Sequence, residues 1–249
     1  VNQCDFLASV IIPIHNEGGR LNDAVRSVLS QSYSALQIIL IDDRSTDNGR
    51  AIAKDLEKEH SNIIFVRFTR NPGPCGTRNA GLELALGRLI TYLDGNDLMA
   101  PERISNFVRY LADSNNCAMV IGEGRLEVAE NIELPASLQS RRHGDRSPYT
   151  MSMMHWKNLL DTVDGFDETY ACGENSDFIV STKAAGKQVD LISIVGTIRR
   201  MHGSNLTYRH AETPTRSILR ARLRDRHKFG HKVTMDSGTL PNPKPDIDA

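Results

Sequence analysis

LQIILIDDRSTD, residues Leu36–Asp47, is the stretch that decides how this chain folds. Its first six residues, Leu36–Ile41, form an almost unbroken apolar run, as expected of a strand buried on both faces in a parallel sheet. The run passes straight into Asp42 and Asp43. Ser45, Thr46 and Asp47 follow, all suited to a helix N-terminus, and the helix they open turns Ile52 and Leu56 inward.

The same unit recurs on either side. Upstream, SVIIPI (Ser9–Ile14) is a second buried strand, and Leu21, Ala24, Val25, Val28 and Leu29 then mark one face of a helix. Downstream, Ile63–Phe68 reads as a strand, Thr77–Leu86 as a helix, and Leu89–Leu93 as a strand ending at Asp94. Pro101 suits the first turn of a helix that buries Ile104, Phe107, Val108 and Leu111, and Met119–Ile121 begins another strand. This alternation predicts an α/β fold with a Rossmann-like, mostly parallel sheet flanked by helices and joined by right-handed crossovers. Ligands of such sheets bind beyond the carboxyl ends of the strands. The acidic segments Asp42-Asp43 and Asp94–Asp97 each follow a strand, so they are expected to meet at one edge.

The second half is less regular. Glu123–Arg146 reads as a loop or mobile excursion, and Asp164–Asp167 as a turn. Asp177–Ala185 reads as a helix and Val189–Val195 as a strand. Residues 211–232 are expected to form a basic C-terminal helix, with seven Lys/Arg against one Asp over Arg216–Lys232. Residues 233–249, with a proline-rich end at Leu240–Ala249, read as a flexible tail or linker.

Composition bounds the function. A net charge of −1 over 249 residues gives no global attraction to nucleic acid or membrane. Cys4, Cys75, Cys117 and Cys172 are scattered without a C-x-x-C pair, which suggests neither a zinc site nor a disulfide framework and fits a reducing, cytoplasmic setting. No apolar run approaches the ~20 residues of a membrane-spanning helix. The first residues do not read as a signal peptide, and the chain begins with Val, as one processed or cut from a longer protein would. Asn205-Leu206-Thr207 matches a glycosylation pattern that is common by chance.

Two readings stand for each acidic segment. In Asp94-Gly95-Asn96-Asp97 the carboxylates repel unless a cation lies between them, and a divalent metal holding a diphosphate would serve. An Asn/Asp-rich turn capping the next helix would look the same. Asp42 and Asp43 could accept hydrogen bonds from a base and a ribose, or belong to a helix cap. A phosphoacceptor receiver domain also has a strand-end aspartate, but its length is about half of this chain.

Several motifs taken together resemble family 2 of the inverting glycosyltransferases. They are VIIPIHNE (Val10–Glu17), LIDDRSTD (Leu40–Asp47), PGPCGTRNAGLELALGRLITYLDGND (Pro72–Asp97), GFDETYACGENSDF (Gly165–Phe178) and RMHGSN ending at Asn205. They run in the family's order over roughly Ser9 to Thr207. The resemblance implies a GT-A fold over residues 1–210, with a nucleotide-binding half at about 7–122 and an irregular acceptor-side half at about 123–210. It implies that Pro13, His15, Asn16, Asp42 and Asp43 surround the base and ribose, with His15 where the family often has Tyr. Arg78 would face the diphosphate or shape its pocket, and Asp94 would hold the ribose side. Asn96 would take the metal-ligand place of the D-x-D motif, and His202 would contact metal or diphosphate. The implied cofactor is Mn²⁺ or Mg²⁺. The implied partners are a nucleotide-sugar donor, UDP-linked by family expectation, and a glycan or lipid-linked acceptor, as in polysaccharide biosynthesis.

Two positions depart from the family. The expected Glu-Asp pair reads Glu174-Asn175, and an amide is no base at neutral pH. Asn96 is the second, because its neutral oxygen binds a hard cation less strongly than a carboxylate. Either Glu174 or Asp177 could serve as base, Asp97 could shift to the metal, or basic residues could replace its charge. The competing reading is a degenerate domain that binds a nucleotide sugar or a partner without turnover. A sugar nucleotidyltransferase shares the α/β plan but lacks the motifs around Glu174 and His202. Arg216–Lys232 is either a solvated face or an attachment to an anionic membrane surface on the cytoplasmic side. Nucleic acid is not expected there, since only Phe229 could stack on a base.

Overall fold

A computed structural model describes residues 6–69, 73–130, 132–134, 138, 143–170, 173–203, 205 and 247–248. The expected basic helix at 211–232 lies outside the described residues, as does most of the tail. The elements in chain order are β1 (Ala8–Ile14), α1 (Gly18–Leu29), β2 (Leu36–Asp42), α2 (Gly49–Glu59), β3 (Ile63–Phe68), α3 (Gly73–Leu84), β4 (Leu89–Tyr92), β5 (Leu98–Met99), α4 (Arg103–Asp113), β6 (Cys117–Val128), β7 (Arg146–Trp156), a 3-10 turn (Lys157–Asp161), α5 (Glu174–Ala184), β8 (Gln188–Met201) and β9 (Ile247–Asp248).

The strands form one sheet in the order β5-β8-β6-β7-β4-β1-β2-β3-β9. Its β3-β2-β1-β4 part is wholly parallel, with Ile14 level with Asp42 and Ile11 level with Tyr92. Alternate residues of these strands enter two cores. Val10, Ile12, Ile14, Ile38 and Leu40 pack with α1, α2 and α4 on one face. Ile11, Ile39 and Ile41 pack on the other face, with Cys75 and Leu82 of α3 and Phe178 of α5. Burial on both faces is the physical reason these strands lack polar alternation. Each fully buried aliphatic side chain contributes roughly 1.5–3 kcal/mol.

The second half differs from its sequence reading. Glu123–Arg146 is strand at its two ends: β6 runs on to Val128 and β7 starts at Arg146. The apolar alternation of β6 is hidden because Gly122 and Gly124 stand where core side chains would be. A Cβ on Gly122 would come within 2.5 Å of the Phe107 ring, and one on Gly124 within 2.8 Å of Tyr149. Those aromatics supply the missing bulk. β7, which no periodicity announced, runs antiparallel to both β4 and β6 and makes this half of the sheet mixed. It buries Met151, Met153 and Met154, residues without the β-branching that signals a strand. α3 and α5 begin earlier than expected, at Gly73 and Glu174, and β8 is longer. Within the tail, β9 pairs antiparallel with β3.

Candidate active site

In the parallel part, α1 leaves β1 on one face of the sheet while α3 approaches β4 on the other. The crevice therefore opens between β1 and β4, at the switch point where such sheets bind ligands. Gly95 lets the two loops close on each other: a Cβ there would lie 3.1 Å from Pro13 O. The two acidic segments do meet at one edge.

The loops after β1 and β2 are sewn together. Asp43 N donates to Ile14 O at 2.8 Å, and His15 Nδ1 pairs with Asp43 O at 2.8 Å. Asn16 N donates to Ser45 Oγ at 3.0 Å, while Asn16 Oδ1 accepts from Thr46 N at 2.8 Å. Asn16 holds a left-handed backbone, φ 57°, which asparagine tolerates better than most residues. Asp47 is a cap, but for two helices at once: its carboxylate accepts from Gly18 N at 2.7 Å and Gly49 N at 2.9 Å. The two N-termini are so close that a Cβ on Gly18 would lie 2.0 Å from Asn48 Oδ1.

Asp42 and Asp43 separate in role. Asp42 is fully buried and satisfied, accepting from Ser45 N at 2.8 Å and Arg67 Nε at 3.2 Å. Asp43 is also buried, yet its Oδ1 has no hydrogen-bond partner among the described residues. Burial pushes its pKa up, and the neighbouring Asp42 charge adds to that against His15 and Arg44. An unsatisfied buried acceptor is costly, so Asp43 is the group that gains from a ligand N–H or O–H.

Arg78, at the buried face of α3, joins the two halves. Its Nη2 donates to Asp94 Oδ1 at 3.0 Å and its Nη1 to Glu174 Oε1 at 2.7 Å. Burial disfavours its charge, but the two carboxylates more than offset this and hold its pKa above the usual value. It thus shapes the pocket by fixing Asp94 and Glu174. Beside it, Asn175 Nδ2 lies 3.3 Å from Glu174 Oε1, and Asn175 Oδ1 is buried without a hydrogen-bond partner among the described residues. Asp177 accepts from Tyr170 O–H at 3.0 Å. Asn79 clamps the Gly165-Phe166 turn onto α3: its amide donates to Phe166 O and accepts from Phe166 N, both at 2.8 Å.

On the other side, Asn96 Nδ2 and His202 Nε2 meet at 2.9 Å. Burial, with Arg20 and Arg200 nearby, pushes the His202 pKa down to about 4, so the ring is neutral at pH 7 and able to ligate. Asp97 is 2% exposed and engaged, accepting from Arg200 N at 2.9 Å and Tyr149 O–H at 3.2 Å. Burial and the Asp94 charge raise its pKa to about 7. Glu17 packs against Gly95, and burial raises its pKa to about 7 as well. Among the described residues no group of three His, Cys, Asp or Glu could hold a metal. Asn96 and His202 are each other's partners, and neither is the carboxylate by which a protein usually holds Mg²⁺, so an ion placed there would draw most of its ligands from diphosphate oxygens and water.

The structure brings Arg78, Asp94 and Glu174 together with Asn175 beside them, pairs Asn96 with His202, and ties His15 and Asn16 to the Asp43–Thr46 loop, whereas Asp177 is seen against Tyr170. Arg67, Asn79, Tyr149 and Arg200 were not singled out. Asn79 and Arg200 sit inside the motifs, whereas Arg67 and Tyr149 carried no local signal. Asn205 is 8% exposed, and its amide accepts from His202 N and donates to Arg200 O, which leaves the Asn-Leu-Thr acceptor nitrogen enclosed. No helix among the described residues is long and apolar enough to cross a membrane.

A parallel nucleotide-type half, a mixed second half and acidic loops meeting at the switch point define the GT-A fold of glycosyltransferases. The pattern of glycosyl transferase family 2 matches residues 9–172, and the chain belongs to that family. It is 35% identical over 112 residues to a putative teichuronic acid biosynthesis glycosyltransferase of Bacillus subtilis, across 45% of this chain and 44% of that one. It is 32% identical over 125 residues to a GalNAc(5)-diNAcBac-PP-undecaprenol beta-1,3-glucosyltransferase of Campylobacter jejuni, across 50% and 40%. These matches span less than half of either relative's length. Among solved structures, Staphylococcus aureus TarS 1–349 with UDP-GlcNAc aligns at TM-score 0.64 and 16% identity, over 83% of this chain and 60% of that one. The Pyrobaculum calidifontis mannosyltransferase PcManGT with GDP-Man and Mn²⁺ aligns at TM-score 0.62 and 17% identity, over 80% and 58%.

Proposed function

We propose that the chain transfers a sugar, with inversion, from a UDP-linked or other nucleotide-diphosphate donor to a glycan or lipid-linked acceptor. The observation that carries this reading is Arg78. It binds Asp94 at the end of β4 and Glu174 at the start of α5, so one buried cation fixes a donor-side and an acceptor-side carboxylate in a single pocket. An acceptor hydroxyl attacks the anomeric carbon from the face opposite the departing diphosphate. Asp43 Oδ1 accepts from the base, with His15 held beside it for stacking and Asn16 and Pro13 framing the ribose, while buried Asp42 fixes the loop from below through Ser45 and Arg67. Glu174 takes the acceptor proton, and Asn175 Oδ1, otherwise unpartnered, accepts from that hydroxyl and aims it. Asp177 braces the same turn through Tyr170. Asn96 and His202 would be the residues nearest a divalent ion, which would neutralise charge on the leaving diphosphate, and Asp97 supports their loop. Assembly of a polysaccharide or a lipid-linked glycan is the setting supported by the names of the two relatives, and the basic sequence Arg216–Lys232 suits attachment to an anionic membrane surface on the cytoplasmic side.

The amides at 96 and 175, with Glu174 tied in an ion pair, favour a second reading: a domain that binds the nucleotide sugar without turnover. Titration with UDP and with GDP, with and without Mn²⁺, tests the shared donor site; a folded sample that binds neither overturns both readings. Transfer or donor hydrolysis that Glu174→Gln abolishes, while UDP affinity is kept, supports the enzyme. A wild-type protein that binds donor but neither transfers nor hydrolyses it supports the binding module.

A further inference from the structure

Arg200 is the most widely connected side chain of the late motif, and no step above uses it. It lies next to last on β8, and its backbone N–H donates to Asp97 Oδ1 at 2.9 Å. Its guanidinium reaches three acceptors: Nε donates to Asn96 O at 2.5 Å, Nη1 to Asp23 Oδ2 at 3.1 Å, and Nη2 to Arg20 O at 3.3 Å. Its carbonyl accepts from Asn205 Nδ2 at 3.1 Å, and Asn205 Oδ1 in turn accepts from His202 N at 2.6 Å. Asn96 is thus tethered twice, by its carbonyl to Arg200 and by its amide to His202.

The tether matters because of the turn it holds. Asp97 N donates to Asp94 O at 3.0 Å, so Gly95 and Asn96 are the corner residues. Glycine leaves that corner conformationally free, and rotation of the Asn96 peptide would swing its side chain off the site. A planar fork with fixed donors can hold one carbonyl and two helix acceptors at once, which an ammonium cannot.

The geometry points to Arg200 as a positioning residue for the diphosphate end of the donor site, fixing Asn96 directly and His202 through the Asn205 turn against α1. The inference rests on the proposed reading of this crevice as a nucleotide-sugar site. Its test compares UDP with uridine, which lacks the diphosphate, on wild type, Arg200→Ala, Arg200→Lys and Asp23→Ala, with Mn²⁺ present and a thermal melt of each variant. Arg200→Ala is expected to weaken UDP binding roughly ten- to hundredfold, as lost outer-shell partners of a metal site do, and to leave uridine binding unchanged. Arg200→Lys falls between. Asp23 is a surface anchor, its side chain 62% exposed, so Asp23→Ala keeps the fold and carries the test should Arg200→Ala fail to melt cooperatively. Its expected loss is roughly two- to fivefold for UDP alone. Unchanged UDP binding in both variants, or equal losses for UDP and uridine, overturns the inference while leaving the donor site standing. Absence of UDP and GDP binding by wild type overturns the site reading itself.

Discussion

The parallel half, β1 to β4, and the mixed half around α5 and β6 to β8 solve the same problem in opposite ways. Both hold carboxylates at the edge of one sheet. In the β1–β2 region the acids are satisfied first by backbone N–H groups two or three residues on, Asp47 by Gly49 and Asp42 by Ser45, with Gly18 and Arg67 added from the adjoining elements. Around α5 and β8 the partners are far away in sequence: Arg78 with Glu174, Tyr149 with Asp97, Asn79 with Phe166. A loop that caps its own helix carries its reason within a few residues. A site held by side chains from separate elements exists only once the sheet has formed.

The sharpest way to break the comparison is at the residue that joins the halves. Arg78→Ala leaves Asp94 and Glu174 without their shared cation and should cost about 3–5 kcal/mol, read by urea denaturation, with nucleotide binding lost. An effect below about 1 kcal/mol would mean that the halves are not coupled through it.

The adjacent aspartates offer the next contrast. Asp42→Asn weakens a charge-assisted pair with Arg67 and a local cap, and should cost about 2 kcal/mol. Asp43→Asn should leave stability nearly unchanged or raise it, since its oxygen has no partner to lose, yet should reduce nucleotide affinity. Reversal of the two would show that Asp42, not Asp43, faces the ligand.

Two further substitutions separate local from distant anchoring. Asp47→Ala removes caps from two helices and should cost about 1–2 kcal/mol. Asn79→Ala frees the Phe166 turn, and its loss of about 1–2 kcal/mol should come with weaker acceptor-side function at unchanged UDP affinity.

The smallest effect is one of pH. Glu17, whose pKa burial raises from 4.5 to about 7, binds more protons folded than unfolded between those values. Its contribution to stability is therefore present at acid pH and lost as pH rises through about 7. Glu17→Gln should raise the Tm at pH 8 more than at pH 5, and equal shifts would place the carboxylate in water.

The parallel half was legible because its signals are local. Apolar runs such as Leu36–Ile41 ended at Asp42, and the periodicity of Leu21 to Leu29 gave the helix face. The mixed half was not, because β6 borrows its bulk from Phe107 and Tyr149, and the buried face of β7 is rich in methionine. The motifs named Glu174, Asn175 and His202 without showing that Glu174 is committed to Arg78 or that His202 touches Asn96.

By itself the sequence determined the parallel α/β frame and the edge of the sheet that holds the acids, and its resemblance to the family marked the two positions where amides stand for carboxylates. The frame and the edge follow from hydrophobic period and residue chemistry, which are properties of neighbours along the chain. Only the tertiary structure decided which aspartate of the Asp42-Asp43 pair is left unsatisfied, which carboxylates share Arg78, and what steadies Asn96. Those answers depend on Arg67, Glu174 and Arg200, which reach the site from β3, α5 and β8, and hydrogen bonding across such distances in sequence is settled by packing rather than by pattern.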